Sequence, residues 1–474
     1  MKRARSRFAS WILVLVTGLV LGLVALFLVP IIAGTATPRK DIEPPVPAVI
    51  AQVNPKALAP LDPAAPQPEA EVLKSGLDTI FSAGSTDARV SASVIDIAAN
   101  EEIYSRSGDT PGIPASSLKI LTAITATNIL GEEHRFITKA MLKDSNTVVL
   151  VGGGDSLLGS GADSKAISGR AGLGTLASEA AQAILDAQNT GEIDKNIRLE
   201  IDDSLFSGDA LNPSWDQSLM DTNNISAVSP LALYGARIDA GAKSPRSKDP
   251  AMAAGSAFAS ALRAALAKTA GAPVLDAQIT RASAGEDATE LASIASATLG
   301  EQVTFMLEDS DNYVAEVLGR LSAIAKGKPG DYQHGASVVE EHIAELGITH
   351  EGLSIVDNSG LAAENKVSAL TLASALKYAA TSSNAVLRDL SYQLPVAGST
   401  GTLSTRMIAP NTRGIVRAKT GSLINISSLS GLTVTADGRV LAFSFMVNTT
   451  DGQLAPHKAM LDAAVSYLTK CGCR

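Results

Sequence analysis

Histidine, cysteine and aromatic residues are scarce in this chain, and so is positive charge. Its 474 residues include five histidines, two cysteines and 4% aromatics, and the net charge is −9. An acidic balance argues against a nucleic-acid partner. The histidines do not cluster, and Glu340-Glu341-His342 lacks the two-histidine spacing of a metalloprotease helix. With no Cys/His ligand set, neither a metal nor a cofactor is expected. Cys471 and Cys473 both stand beside the C-terminus. A bridge between them would close a short, strained ring and staple no core. The glycine cluster Gly152-Gly153-Gly154-Asp155 lacks the ending and spacing of a phosphate loop and reads as a tight turn, with Asp155 structural. Chemistry in this chain therefore has to come from hydroxyls, amines and amides.

What is present begins at Ser116 and Lys119, three apart where an apolar helical pattern starts. Positions i and i+3 share a helix face, so the lysine amine can lie against the serine hydroxyl. A serine is a weak nucleophile until a base takes its proton. A lysine partly desolvated, or placed beside a second cation, has a lowered pKa and can be that base. Alone the pattern is weak, since S-x-x-K arises by chance roughly one to three times in a chain this long. Two further stretches change this. Ser310-Asp311-Asn312 precedes an apolar run, and Lys419-Thr420-Gly421-Ser422 closes a strand-like segment. Each exact triplet is expected by chance only about 0.1 times per chain.

The length suggests two domains or more. Lys2, Arg3, Arg5 and Arg7 precede an apolar run from Trp11 to Ala33, 23 residues, enough for a bilayer-spanning anchor. A cleaved signal ending near Gly34-Thr35-Ala36 is the other reading. Either places the rest of the chain outside the cytoplasm. Nine prolines between Thr35 and Glu71 then read as a semi-extended linker. The expected organisation is residues 1–34 as basic flank and transmembrane segment and 35–70 as linker. Residues 71–135 with 286–474 form a catalytic domain, and 136–285 an inserted smaller α/β domain. The fold class is α/β (α+β), an antiparallel sheet flanked by helices. Strands are expected near 416–420, 428–435 and 439–448, the last two joined at Asp437-Gly438, with Lys419 at the sheet edge. Pro456–Leu468 reads as a closing helix. The Gly/Ser-rich 156–174 reads as a mobile loop, and Trp215 as structural.

In this order the three motifs are the set found in penicillin-recognising serine enzymes. The chain resembles the class C low-molecular-mass penicillin-binding proteins, the D-alanyl-D-alanine carboxypeptidase/endopeptidase family, from about Glu71 to the C-terminus. Leu150–Asp155, Asp357-Asn358-Ser359-Gly360-Leu361, Leu394–Gly398 and Gly401-Thr402-Leu403 agree with that family's habits. Ser116 and Ser310 are 194 positions apart, whereas class A β-lactamases place the second motif about 60 residues after the first. An extra domain fits between them here.

The resemblance implies an extracytoplasmic serine DD-peptidase at the bacterial cell membrane. It would act on peptidoglycan stem peptides ending in D-Ala-D-Ala and be trapped by β-lactams. It implies Ser116 as nucleophile, Lys119 as its base, Ser310 as proton carrier to the leaving amine and Asn312 as donor to the substrate amide. Lys419, Thr420 and Ser422 would meet the terminal carboxylate, and Lys419 would repel the proton of Lys119. Gly421 would clear the strand edge on which the peptide lies, and Asn365 would bind substrate. Backbone N–H groups of Ser116 and Ser422 would form the oxyanion hole. One departure stands out: Ala363 occupies the position of a family arginine that holds the acid of the peptide's third residue. Two other readings use the same fold. A β-lactamase or esterase needs a deacylating carboxylate, and no E-x-x-L-N stretch lies between the first two motifs. A non-catalytic penicillin-binding sensor needs no proton path, yet all three motifs are intact.

Overall fold

Two five-stranded sheets organise the described residues of the chain. The computed structural model describes residues 64–83, 88–450 and 452–472, all within one unit, Leu61–Arg474. In the first sheet the order is β2 (Glu101–Arg106), β1 (Arg89–Asp96), β10 (Val440–Asn448), β9 (Ile426–Val434), β8 (Arg417–Leu423), and every pairing is antiparallel. The β9–β10 hairpin closes at Asp437-Gly438 with Gly438 at φ +89°, as its turn residues require. On one face Phe443 and Phe445 meet Leu73, Leu77 and Phe81 of α1 (Ala70–Ser82) and Leu461, Val465 and Leu468 of α11 (Leu454–Lys470). The terminal helices thus share that face.

The other face meets a helical layer with a common core. It holds α2 (Lys119–Leu130), α6 (Leu299–Glu308), α7 (Asn312–Ala325), α8 (Tyr332–Glu345), α9 (Ala369–Thr381) and α10 (Ala385–Gln393). A capping box, Thr298 with Glu301, starts α6, and Asp311 caps α7 by accepting from Val314 N.

The second sheet has the order β6 (Val274–Arg281), β5 (Asn196–Asp202), β4 (Thr147–Val151), β3 (Ile137–Asp144), β7 (Thr289–Ala295). Its β4–β5 and β5–β6 pairs are parallel and the others antiparallel. Residues of α3 (Leu173–Thr190) and α5 (Pro250–Leu266) cover one face. A short α4 (Gln217–Asp221) follows β5. β7 lies beyond residue 285 but pairs with β3 throughout. The Gly/Ser-rich stretch, read as mobile, is folded in: Gly169 N donates to Leu157 O at 2.7 Å and Leu173 N to Gly159 O at 2.8 Å.

The transmembrane part of the fold expectation, and the membrane placement resting on it, is corrected. No helix among the described residues is long and apolar enough to cross a membrane. The longest, α3 with 18 residues, carries Glu179, Gln182, Asp186 and Gln188, a polar stripe that a bilayer interior does not tolerate. The apolar run Trp11–Ala33 lies outside the described residues, as does Cys473.

Candidate active site

Ser116 lies in a 3-10 turn, Ala115–Leu118, that feeds α2. Ala115 is held at φ +47°, a costly conformation for a residue with a Cβ. Three groups hold it there. Ser428 Oγ on β9 donates to Pro114 O at 2.7 Å and lies 2.8 Å from Ser117 Oγ. Gly360 and Gly421 pack against the turn: a Cβ on Gly360 would stand 2.0 Å from Ala115 O. A Cβ on Gly421 would stand 2.1 Å from Ser428 Oγ and 2.8 Å from Pro114 O. Gly421 therefore admits strand β8 to the backbone of Ser116.

Lys119 is fully buried. Its Nζ lies 3.0 Å from Ser116 Oγ, 2.6 Å from Asn312 Oδ1 and 2.6 Å from Ser359 O. Two of these partners are carbonyl oxygens, which only accept. A neutral amine has two N–H donors and one lone pair. With both donors engaged by Asn312 and Ser359, the lone pair is left for the Ser116 hydroxyl. Burial pushes Lys119 down to about 8 against the pull of Asp357, Asp311 and Glu316, and Arg246 lowers it further. Burial is the largest cause and Arg246 adds to it, ahead of the repulsion expected from Lys419. Lys419 is itself held well below the ordinary lysine range, first by burial and then by the charge of Lys119.

Lys419 Nζ donates to Ser310 Oγ and to Thr420 O, each at 2.8 Å. Ser310 is also in a left-handed conformation, φ +54°. Thr420 Oγ1 donates to Thr402 Oγ1 at 2.9 Å, and Ser422 is exposed. Val396 bridges Arg417 antiparallel outside β8. Among the described residues no strand covers the outer side of 419–423, where an extended peptide can add.

Two expected substrate contacts are tied into the protein to different degrees. Asn312 Nδ2 gives one of its two N–H groups to Asn224 O at 3.0 Å. Asn365 is buried: Nδ2 donates to Asp357 Oδ1 at 2.9 Å, and Oδ1 accepts from Val356 N at 2.9 Å. It knits the 356–365 loop. Asp357 at the centre of that loop also accepts from Gly360 N, Ala362 N and Trp215 Nε1 at 2.7–3.0 Å. Trp215 and Asp155 are buried in supporting positions; burial raises Asp155 to about 7 against one bond from Leu157 N. Ala363 is exposed.

Ser428, Ser359 O, Asn224 O and Glu316 escape sequence reading. Glu316, one turn after Asn312, accepts from Asn358 N at 3.0 Å, and burial with the charge of Asp357 raises it to about 7. The helical i, i+4 spacing of Asn312 and Glu316 is the one signal that points to it.

Residues 73–246 and 239–470 match the D-Ala-D-Ala carboxypeptidase 3 (S13) family. A carboxypeptidase of Mycobacterium tuberculosis is 33% identical over 402 residues, 81% of each chain. Carboxypeptidase DacB of Mycolicibacterium smegmatis is 30% identical over 488 residues, the whole of both chains. The crystal structure of penicillin binding protein 4 from Haemophilus influenzae superposes with a TM-score of 0.64 at 21% identity, covering 83% of this chain and 99% of that one. At that identity the likeness concerns the fold.

Proposed function

The chain belongs to the D-Ala-D-Ala carboxypeptidase 3 (S13) family and is a serine carboxypeptidase of peptidoglycan stem peptides, and on that premise we propose which residues carry the reaction. Ser116 Oγ attacks the carbonyl carbon between two D-alanines while Lys119 Nζ takes its proton. The oxyanion is met by the backbone N–H groups of Ser116 and Ser422. As the C–N bond breaks, the leaving D-alanine nitrogen takes a proton from Ser310, which Lys419 supplies in turn. Thr420 and Ser422 meet the terminal carboxylate beside Lys419, whose charged form the arriving carboxylate favours against its burial. Water then cleaves the acyl ester: one of its protons returns through Ser310 to Lys419, and Lys119 gives its proton back to the Ser116 oxygen. Asn312 orients Lys119, and Asn365 holds the 356–365 loop, so both act from behind the substrate. Residues 136–285 are the inserted domain, and the pairing of β7 with β3 supports extending it to Ala295.

The observation that carries this reading is the three-way bonding of Lys119, which leaves its lone pair for Ser116. β-Lactams present the same amide in a ring and acylate Ser116. Labelled penicillin should modify the full chain covalently, and Ser116→Ala should abolish the label. A label that survives in Ser116→Ala removes the nucleophile assignment.

A further inference from the structure

The inserted part reaches the second motif through a small hairpin, residues 237–246. Arg237 and Arg246 face each other across its base in an antiparallel bridge, and Ile238 N donates to Pro245 O at 3.0 Å. Both guanidinium groups converge on one oxygen: Arg237 Nη1 and Arg246 Nη2 each lie 3.0 Å from Asp311 Oδ2. The Asp311 side chain is 1% exposed, and its other oxygen caps α7. Burial works against its charge, but the two arginines outweigh that and hold it at about 2.

Arg246 does more than pair. Its Nε donates to Asn223 O at 3.1 Å, its Nη1 to Gly235 O, and its backbone N to Asn223 Oδ1 at 3.1 Å. Its guanidinium also lies over the Tyr313 ring, 5.7 Å from the centroid. The next residue, Asn224, gives its carbonyl to Asn312 Nδ2. A closed circle results: Asp311 to Arg246, Arg246 to Asn223, Asn224 to Asn312, and Asn312 back to Asp311 along the chain. Asn223, Tyr234, Ala236 and Ser310 in and around this circle sit at φ +60°, +49°, +67° and +54°. Non-glycine residues keep such angles only where their surroundings over-determine them.

We propose that the 237–246 hairpin clamps Ser310-Asp311-Asn312, and that Arg246, with Arg237 in a lesser part, is a positioning residue for acylation. This rests on the roles given above to Ser116 and Lys119. Asp311 stands between the two active residues, so fixing it fixes both. If the Asn312 amide turns away from Asn224, Lys119 loses an acceptor and its lone pair is no longer committed to Ser116. The inserted domain is thereby part of the catalytic apparatus, though its own sheet offers no reacting atom.

The test is the rate of covalent labelling of the full chain by fluorescent penicillin across pH, with thermal unfolding followed in parallel. Asp311 and Glu316 on α7, Asp357 in its loop, Arg246 on the hairpin and Lys419 on β8 all act on the charge of Lys119. Arg246→Gln removes a cation and leaves Asp311 compensated by Arg237 alone. Both changes favour protonated Lys119, so the rise of rate with pH moves to higher pH. The rate itself falls by about 100-fold, as for an ångström-scale misplacement. Arg246→Lys restores the charge but cannot span Asn223 and Gly235, so it recovers the midpoint of the rise and remains slow. Arg237→Gln, at an 18% exposed side chain, moves rate and midpoint in the same direction but less, and carries the test if Arg246→Gln does not fold. A folded Arg246→Gln or Arg237→Gln variant with wild-type rate and midpoint overturns the proposal, as does a slower Gln variant with an unmoved midpoint. Labelling of Ser116→Ala in the same series would instead overturn the nucleophile assignment, so the two failures are distinct.

Discussion

The two sheets differ in how they are covered, and the reacting groups follow the cover. In the first, β9 and β10 are buried along almost their whole length. Alternate residues enter two cores: Leu429, Phe443 and Phe445 face the terminal helices, while Leu432, Ala442 and Met446 face the helical layer. In the second sheet, β6 and β7 leave most residues exposed. Its open face is laced with ion pairs such as Lys139–Glu290 and Lys143–Glu200. Desolvating two lysines requires walls that do not yield. The sheet packed on both faces provides them at its edge, while the half-covered part sends a hairpin, a tryptophan and a few carbonyls.

The sharpest contrast pairs two lysines. Lys119→Ala should slow acylation by at least about 10⁴-fold, because removing the base disables the nucleophile as well. Lys139→Ala, on the open face of the second sheet, should leave the rate unchanged. The pH profile checks the same assignment. In the role proposed for it Lys119 acts as a neutral base, and it is held at about 8. The wild-type rate should therefore rise with pH through about 8 and fall below it as the amine becomes protonated. Near wild-type acylation by Lys119→Ala would pass the base role to another group, with Lys419 the first to examine.

Stability should divide the sheets in the same way. Phe443 on β10 is fully buried, whereas Val274 on β6 is 65% exposed. Phe443→Ala should cost about 3–5 kcal/mol in denaturant unfolding, and Val274→Ala should stay within about 0.5 kcal/mol. Equal losses would remove the distinction between a doubly packed and a half-covered sheet. Smaller again is Gly421→Ala, whose new methyl meets Ser428 Oγ and Pro114 O. Overpacking of this kind costs about 1–3 kcal/mol. Here it should appear chiefly as slower labelling, since the strain falls on the turn that carries Ser116. Unchanged labelling by Gly421→Ala would show that the turn can move without loss.

The same contrast explains what the sequence made legible. The three motifs are contiguous triplets or a single helical turn, so their chemistry can be read locally. β10 and the Asp437-Gly438 turn are legible because this doubly buried strand is an apolar run beside turn residues, and β9 follows as its hairpin partner. β3, β6 and β7 were not, since exposed strands such as Val274–Arg281 show no period that separates them from loop. The supports of the site are hidden for a different reason. Ser428 holds Pro114 from 314 residues away, and Arg246 holds Asp311 from 65. Ser359 and Asn224 act through backbone carbonyls, which carry no residue signature. The order of 156–174 was missed because glycines that permit close backbone crossing look, in sequence, like glycines that permit motion.

The seam between the two regions yields the smallest prediction. Asn212 Nδ2 donates to Val356 O at 2.6 Å and Trp215 Nε1 to Asp357 at 3.0 Å, so residues of the 136–285 stretch hold the 356–365 loop. Ala363 projects from that fixed loop, exposed, where related enzymes were expected to carry an arginine. A charge-assisted bond to a carboxylate is worth about 1.5–3 kcal/mol when shielded. Exposure brings it toward the lower end, a factor of about ten. Wild-type kcat/KM should then differ by less than about tenfold between two D-Ala-D-Ala peptides whose third side chains end in a carboxylate or an amide. Ala363→Arg should shift preference toward the carboxylate by about that factor, because the loop beneath it is already rigid and little ordering opposes the contact. A larger wild-type preference for the free acid would mean that another basic group anchors it. The side-chain subsite would then belong to a residue outside the loop, and the seam would set geometry without setting specificity.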